Sequence, residues 1–509
     1  MTSPWSLGAI FLVCAVTLAL GWRGLGRARG TSDFYVAGRT VSPWRNASAI
    51  GGEYLSAASF LGVAGLVYER GVDMLWMPVG YTVGYLVLLA LVAAPLRRSG
   101  AYTLPDFAEM RLGSRAVRLM SSALVVAIGW LYLLPQMQGA GLALRHVTGW
   151  PTWIGGAIIT AIITANLAAG GMRSITLVQA VQYWLKLSAI ALPAFILLYL
   201  WLRDGRPSPV ADQSWWLPLT GSAPGQHEVF ITYSTLAALC LGAMGLPHVV
   251  VRFYTNPDGW AARRTTVAVV ALLGLFYLFP PVYGVLGRRY LEGGTVDGFS
   301  GSVVLSLPGA MIDGIGGDLL AALLAGGAFA AFLSTASGVA MSVAGALDQD
   351  VLRPLLTRRT GGDFAPVQSF RVAAVLGVLA PFVASGFIGT VGISTVIGHA
   401  FAIAAATFAP MLILGVWWRR LTAAGAGAGL AIGGITTAGA AILSLSPIDL
   451  GGWPGALLSS PTAWATPLAV AVAVGVSLLT SGSVPRNTPR IMARLHTPEE
   501  VLEATTHRV

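Results

Sequence analysis

The stretch Gly51-Gly52-Glu53-Tyr54-Leu55-Ser56-Ala57-Ala58-Ser59-Phe60-Leu61-Gly62 decides how the rest of this chain can be organised. It lies inside an apolar run from Ala47 to Tyr68 that is long enough to cross a bilayer. Its glycines loosen a helix and free backbone carbonyls, and in lipid such groups must be satisfied by protein, water or an ion. The stretch therefore predicts a broken membrane-spanning helix that contains an ion or solute site.

The composition places the whole chain in a membrane. Of the 509 residues, 55% are apolar and only 10% are charged, whereas soluble domains carry about 25% charged residues. A soluble globular protein is therefore excluded. The net charge of +10 is compatible with nucleic-acid binding, but the arginines cluster in loops between apolar runs. Such a rim suits anionic lipid headgroups, so membrane lipids and not nucleic acid are the expected partners.

The apolar runs predict thirteen membrane spans and an orientation. If the N-terminus is outside, twenty-four arginines fall on the inside and six on the outside, as the positive-inside rule requires. We therefore expect a multi-pass protein of the plasma (inner) membrane with a cytoplasmic C-terminus. The spans lie at about 5–22, 46–68, 74–95, 117–144, 150–170, 175–202, 231–251, 265–287, 318–346, 371–390, 394–418, 422–446 and 462–481.

Two glycine-interrupted spans point to an internal repeat. The seventh span reads Leu239-Cys240-Leu241-Gly242-Ala243-Met244-Gly245-Leu246-Pro247-His248, and it lies five spans after the second. The two spans enter the membrane from opposite sides, so residues 46–202 and 231–418 form candidate inverted repeats around a central site. The helices at 5–22, 422–446 and 462–481 complete one transmembrane domain (1–481), and 482–509 form a tail. Alternatively, the glycines only allow close helix packing.

The ninth span carries a set of oxygen atoms suited to a small cation. Ala331, Ser334 and Thr335 fall at i, i+3 and i+4, on one helix face. Their two hydroxyls and one carbonyl, together with the carbonyls of Gly52 and Leu55, can form a five-oxygen shell. The alternative is a packing face of small residues whose hydroxyls bond to their own helix.

Several motifs, in order along nearly the whole chain, resemble the sodium:solute symporter family. The closest likeness within it is to the cation/acetate symporters, which carry short monocarboxylates. The motifs are Ser56-Ala57-Ala58-Ser59-Phe60-Leu61-Gly62, Tyr102-Thr103-Leu104-Pro105-Asp106, Gln136-Met137-Gln138-Gly139-Ala140-Gly141, Gly170-Gly171-Met172-Arg173-Ser174, Leu246-Pro247-His248 with Arg252-Phe253-Tyr254, and Ser334-Thr335 with Asp350.

The resemblance implies an all-α, thirteen-helix fold of the leucine-transporter type, built from five-plus-five inverted repeats. It also implies a sodium site between the second and ninth helices, with ligands at Gly52, Leu55, Ala331, Ser334 and Thr335. This agrees with the ligand set suggested by the spacing. One departure is that the acetate symporters have aspartate where this chain has Glu53.

Other polar residues in the spans are candidates for coupling or gating. Glu53 is a buried carboxylate, which in a membrane is functional by default, or it pairs with an arginine at the inner rim. His248 and Arg252 are four residues apart and suit a structural cap or gate more than substrate contact. Lys186 is expected to snorkel or to bond within the bundle, and His399 lines a cavity or is a satisfied core histidine.

The substrate is expected at the helix breaks, where freed N–H groups and helix dipoles suit a carboxylate. The candidate substrate-binding residues are Ser56, Ser59, Gln136, Gly242 and Gly245. The leading function is a secondary active symporter that imports a short, acetate-like monocarboxylate with sodium as the coupling ion and no other cofactor.

Alternatives to this function remain open. They are a symporter for an amino acid or a sugar, coupling to protons, and a membrane sensor. An enzyme is not expected, because the chain has no paired catalytic carboxylates and no His/Glu zinc motif.

Overall fold

The computed structural model of the chain describes residues 3–23, 35–208, 213–217, 227–291, 299–360, 366–387, 393–446, 450–499 and 501. Within these ranges the ordered elements are helices and short helical turns, so the predicted all-α class is confirmed. In the first half of the chain the helices are α1 (Pro4–Trp22), α2 (Pro43–Tyr54), α3 (Val63–Arg70), α4 (Trp76–Leu91), α5 (Ala93–Ser99), α6 (Leu104–Leu112), α7 (Arg115–Thr148) and α8 (Thr152–Arg203).

The second half of the described chain is also helical. Its helices are α9 (Glu228–Gly245), α10 (Pro247–Phe253), α11 (Gly259–Tyr277), α12 (Pro280–Tyr290), α13 (Ser302–Met311), α14 (Ile315–Leu347), α15 (Arg353–Thr360), α16 (Pro366–Ser385), α17 (Ile393–Ala406), α18 (Phe408–Trp417), α19 (Ala423–Ser444), α20 (Gly452–Ser459), α21 (Thr462–Leu479) and α22 (Thr488–His496).

The described helices account for thirteen membrane crossings. Eleven helical segments, and one bent pair made by α2 and α3, are long and apolar enough to cross a bilayer. Helix α8 has 52 residues, or about 78 Å at 1.5 Å per residue, which is far longer than one crossing of about 30 Å. It is interrupted at Gly171, where φ is 55° and ψ is −150°, a conformation that glycine adopts readily. Helix α8 therefore makes two of the thirteen spans.

The second span breaks later than its glycines suggested. Helix α2 stays helical through Gly51 and Gly52 and ends at Tyr54, and Leu55 then takes a non-helical conformation with ψ of 79°. A π-helical turn at Ala58–Gly62 leads into α3, and the two halves of the span differ in direction by 66°. The prediction of a broken span is confirmed, but the glycines are helical packing residues and do not form the break.

The seventh span is broken by a proline rather than by its glycines. Helix α9 ends at Gly245, Leu246 is extended, and Pro247 is the first residue of α10. A proline disfavours helical geometry in the residue before it, which explains the position of the break. Gly242 and Gly245 lie in intact helix, where a Cβ atom would stand 2.5 Å and 2.4 Å from carbonyl oxygens of α17. Their direct structural role is close packing.

Both breaks lie at the centre of the bundle. Helix α8 packs against α2, α7 and α14, while α10 contacts α2 and α14, and α9 packs along α17. This arrangement brings the second, fourth, sixth, seventh, ninth and eleventh spans around one buried region.

The tail after the last span contains one docked helix. The sequence indicates only that this segment is polar, but α22 buries Ile491, Met492 and Leu495 on one face. Just beyond it, Glu499 forms an ion pair with Arg98 at 3.2 Å. Part of the tail is therefore packed against the transmembrane domain.

Candidate substrate and cation site

The side chain of Lys186, on α8, ends at the break in the second span. Its Nζ atom lies 2.5 Å from the carbonyl oxygen of Gly52 and 2.7 Å from that of Leu55. The third contact is the Ser334 hydroxyl oxygen, at 3.0 Å. The lysine is fully buried, and an ammonium group has three donors and no acceptor. These three oxygens therefore satisfy it completely.

The break supplies the carbonyl that the lysine needs. In a continuous helix the amide of Ser56 would donate to the carbonyl of Gly52. Here that amide instead donates to the carbonyl of Tyr54 at 2.8 Å. The Gly52 oxygen is left for another donor, because an unsatisfied carbonyl in the membrane core is costly. Lys186 provides the donor from a neighbouring helix.

The two remaining predicted ion ligands belong to the same cluster. The Thr335 hydroxyl donates to the carbonyl of Glu53 at 2.5 Å, and the Ser334 hydroxyl lies 3.1 Å from the carbonyl of Ala331. The structure thus brings oxygens of Gly52, Leu55 and Ser334 together around Lys186, with Ala331 and Thr335 bonded to Ser334 and to Glu53 beside them. Sodium binding by them stays a prediction.

The geometry of this cluster does not suit a sodium ion next to a charged Lys186. A sodium ion bound to the same oxygens would touch the ammonium group. Two like charges in contact inside a low-dielectric core repel strongly. The three oxygens that Lys186 contacts can therefore serve one cation at a time.

Glu53 pairs with Arg252. The Arg252 Nε atom donates to the Glu53 carboxylate at 2.5 Å, and both side chains are buried. Arg252 also donates to the hydroxyl of Thr176 at 2.9 Å and to the side-chain oxygen of Gln179. Gln179 in turn donates to the carbonyl of Ser334 at 2.7 Å. Of the two interpretations of Glu53, the structure has the arginine pair, and it ties α2, α8, α10 and α14 together.

Several buried polar atoms near the two breaks have no hydrogen-bond partner in the described part of the chain. They include the side-chain nitrogen of Gln136, the hydroxyl of Tyr85, the Nε2 atom of His248 and one carboxylate oxygen of Glu53. The Gln136 side-chain oxygen lies 3.5 Å from the amide of Ala57, so the glutamine stands at the break itself. Buried polar groups are normally hydrogen-bonded, which makes these atoms candidates for ligand contact.

The two predicted substrate serines already have tyrosine partners. Ser59 and Tyr277 share a hydrogen bond of 2.8 Å between their hydroxyls, and Ser56 is bonded to the hydroxyl of Tyr132. Their contact with substrate stays a prediction, and it requires these bonds to be shared or exchanged.

Aromatic rings form the walls around the breaks. Tyr54 contacts Tyr85 at 4.8 Å between ring centroids, and Tyr81 contacts Phe401 at 5.5 Å. Tyr132 contacts the ring of His248 at 4.9 Å. The central region is therefore compact, with apolar faces and few polar atoms.

A cavity of about 540 Å³ lies on one side of the aromatic cluster. It is a vestibule at the ends of α3, α9 and α21, lined among others by Arg70, Asp73, Glu228, His399, Ala402 and Ser460. Ala402, which lines this vestibule, is next in the chain to Phe401 of the aromatic cluster. His399 lines the vestibule and its Nε2 atom lies 3.1 Å from the hydroxyl of Ser444, so both interpretations of this histidine hold.

An ion-pair network near the other ends of the central helices joins two of the sequence motifs. The guanidinium of Arg118 lies 2.9 Å from Asp106, 2.6 Å from Glu109 and 2.5 Å from Asp350. These contacts fasten α6 and the turn after α14 to the start of α7. Asp106 and Asp350, which are distant in sequence, are partners of the same arginine.

The family model of the sodium:solute symporters matches residues 34–433 of the chain. The chain belongs to the sodium:solute symporter family. A protein of Corynebacterium glutamicum described as a monocarboxylic acid transporter is 29% identical over 452 residues, covering 84% of this chain and 81% of that protein. An uncharacterized symporter of Bacillus subtilis, YwcA, is 29% identical over 418 residues, covering 81% of each chain.

The fold of this sodium:solute symporter family member matches known transporters. A substrate-bound, outward-open structure of a Na+-coupled sialic acid symporter aligns with a TM-score of 0.72 at 14% sequence identity, covering 93% of this chain and 97% of that chain. This confirms the predicted leucine-transporter-type fold. The protein is therefore a multi-pass membrane transporter and not an enzyme.

Of the two expectations for Lys186 in this symporter, bonding within the bundle is the one that the structure has, whereas its contact with the break and the role of Gln179 were not predicted. The two residues are seven apart on α8 and so lie on one helix face. Lys186 is also the single lysine of the chain. These two signals together indicate a polar face of α8, but they do not indicate that it meets the break of the second span.

Proposed function

We propose that this chain imports a short monocarboxylate, of about the size of acetate, by secondary active symport across the plasma membrane. The observation that carries the proposal is the charge balance at the break. In their usual ionised forms Lys186 and Arg252 are cations and Glu53 is an anion, and all three side chains are buried. Among the described residues around the break this leaves one uncompensated positive charge. A monovalent anion would neutralise it, whereas a sugar or a zwitterion would not.

Few hydrogen-bond donors near the break lack a partner, and those that do lie close to aromatic rings. The Gln136 nitrogen and the Tyr85 hydroxyl can each donate one hydrogen bond to a carboxylate oxygen. A sugar needs many polar partners, because each buried hydroxyl without one is costly. The compact aromatic surroundings of Tyr54, Tyr81 and Phe401 favour a substrate with a small apolar group.

The relatives support the same class of substrate. The relative from Corynebacterium glutamicum is described as a monocarboxylic acid transporter and matches this chain over 84% of its length. The motif Gln136–Gly141, which resembles the cation/acetate symporters, lies beside the break, and the motif Ser56–Gly62, which resembles the wider family, lies at it.

The substrate is proposed to enter through the vestibule that Arg70 and His399 line. With the N-terminus outside, as the arginine distribution favours, this vestibule opens to the outside and the Arg118 network lies at the cytoplasmic face. Opening of that network would release the substrate inward, in the alternating-access manner of this fold. Symport then requires a cation that enters with the anion.

The test is counterflow in proteoliposomes loaded with unlabelled acetate. Labelled acetate, propionate and pyruvate should accumulate transiently, whereas excess glucose or proline should not compete. Liposomes without protein provide the background. If proline competed well and acetate showed no counterflow, the monocarboxylate assignment would be lost although the symporter assignment would survive.

A further inference from the structure

We propose that the ammonium group of Lys186 is a covalently attached cation that replaces a transported sodium ion at the break of α2. Exchange of solute by this chain then needs no sodium ion. The proposal rests on the proposed function only in that some small solute is carried, and one of its tests does not need a solute at all.

The contacts of Lys186 are those of a cation bound by neutral oxygens. Two backbone carbonyls and one hydroxyl contact the Nζ atom, at 2.5, 2.7 and 3.0 Å. No carboxylate of the described residues lies within ion-pair distance of it, because Glu53 is engaged by Arg252. A single positive charge surrounded by oxygen dipoles is how a monovalent ion is held in a broken membrane helix.

Other helices reinforce this position of the ammonium group. Gln179 lies two helical turns before Lys186 on the same face of α8, and its side chain donates to the carbonyl of Ser334 at 2.7 Å. It thereby holds α14 against α8 beside the Ser334 hydroxyl. The lysine is fully buried, so its charge has no solvent to reach and the three oxygens are its only support in the described structure.

The charged groups around the ammonium group are compatible with one cation at this position and not with two. The carboxylate that interacts electrostatically with the ammonium group is that of Glu53 on α2, and this carboxylate also forms an ion pair with Arg252 on α10. A second cation on the same oxygens would add a further positive charge next to Lys186 and Arg252. The single negative charge of Glu53 cannot balance three cations in a low-dielectric core.

The first test compares counterflow of the carried solute in sodium medium and in N-methyl-D-glucamine medium. Wild-type exchange should be the same in both. Lys186→Ala, which removes the charge and opens space, should lose about tenfold or more without sodium, since contacts of a charged group are involved. Sodium should restore much of its exchange. Lys186→Met, which removes the charge but fills the space, should be equally impaired and should not respond to sodium.

A double variant identifies the oxygens. Lys186→Ala combined with Ser334→Ala should lose the sodium rescue, because one of the three oxygens is gone. If the wild-type protein required sodium for exchange, the proposal would be wrong. It would also be wrong if Lys186→Ala exchanged normally in sodium-free medium.

The second test is thermal unfolding of the purified protein in detergent with no solute present. A ligand that binds the folded state raises the unfolding temperature. Sodium, compared with the same concentration of N-methyl-D-glucamine, should leave the wild-type value unchanged and raise that of Lys186→Ala by a few degrees. A sodium-dependent rise in the wild type would overturn the proposal. A failure of acetate counterflow would overturn only the substrate assignment and would leave this measurement valid.

Discussion

Gly52 packs its backbone directly against the backbone of Gln179. A Cβ atom at residue 52 would lie 2.1 Å from the carbonyl oxygen of Gln179, much closer than any non-bonded contact allows. This approach of α2 to α8 is what lets the side chain of Lys186, two turns further along α8, reach the carbonyls at the break. Glycine is required here for closeness, because α2 is regular helix at this residue.

Gly52→Ala is therefore expected to abolish transport. The obstacle is backbone and not the end of a flexible side chain, so α2 and α8 must separate and the Lys186 contacts must lengthen. Counterflow and the amount of folded protein in the membrane measure the effect. Gly439→Ala, in α19 where no atom lies within 4 Å of the added Cβ, is the control and should behave as wild type. Normal transport by Gly52→Ala would refute the close approach.

We expect substitutions of Glu53 and Arg252 to have non-additive effects on the stability of the protein. Arg252→Gln alone leaves the buried Glu53 carboxylate without its partner, and breaking a buried pair costs about 3–5 kcal/mol. Glu53→Gln with Arg252→Gln should recover part of that loss, since neither member of the pair is then left as a charge without its partner. Thermal unfolding in detergent measures the stability, and additive effects of the two substitutions would contradict the pairing.

Gln136 predicts a selective loss of substrate affinity. Gln136→Ala removes the unpartnered donor at the break, so the acetate concentration for half-maximal exchange should rise on the order of tenfold. Gln136→Glu should be worse, because a second carboxylate repels the anion. Gln182→Ala is the matched control, since Gln182 on α8 donates to Thr17 on α1 at 3.0 Å. Equal half-saturation values for wild type and Gln136→Ala would remove Gln136 from the site.

Arg111 predicts a loss of stability without a change in substrate affinity. Its guanidinium donates to the carbonyls of Gly415 and Trp418, at 2.8 and 3.0 Å, and so caps the end of α18. Burial lowers the pKa of Arg111 to about 10, so the group is still cationic at neutral pH. Arg111→Ala should cost about 1.5–3 kcal/mol. Thermal unfolding should detect it, while the half-saturation concentration of surviving protein should be unchanged; a shift in that value would contradict a purely structural role.

The predicted orientation has a direct test. A reporter fused after Val509 should be active in the cytoplasm, and a tag inserted before Trp5 should be accessible from outside in intact cells. An odd number of spans requires this difference between the two ends. Both ends on the same side would mean that the thirteen-span count is wrong.

Much of the fold follows from local properties of the sequence. The length of each apolar run predicts a membrane crossing, because a bilayer core has a fixed thickness. Pro247 explains the break of the seventh span, because a proline restricts the residue before it, although the predicted interruption was at the glycines. The i, i+3, i+4 spacing of Ala331, Ser334 and Thr335 predicts that they share one face. These predictions need no knowledge of neighbouring helices.

The position of the break in the second span was harder to predict from the sequence. Gly51 and Gly52 suggested that the helix ends there, but it continues to Tyr54. Glycine permits both a break and a close helix contact, so its identity alone does not distinguish them. The contact with Gln179 on α8 decides between the two, and that contact depends on residues more than a hundred positions away.

The sequence by itself determined the class of protein, its membrane spans, its family and the oxygen-rich face of α14. Only the tertiary structure decided that Lys186 contacts those oxygens and that Glu53 pairs with Arg252. The physical reason is that helix periodicity assigns a residue to a face, whereas its partner depends on the packing of α2, α8, α10 and α14. A lysine in a membrane helix must find acceptors somewhere, and the acceptors it finds here are the carbonyls that the break of α2 leaves free.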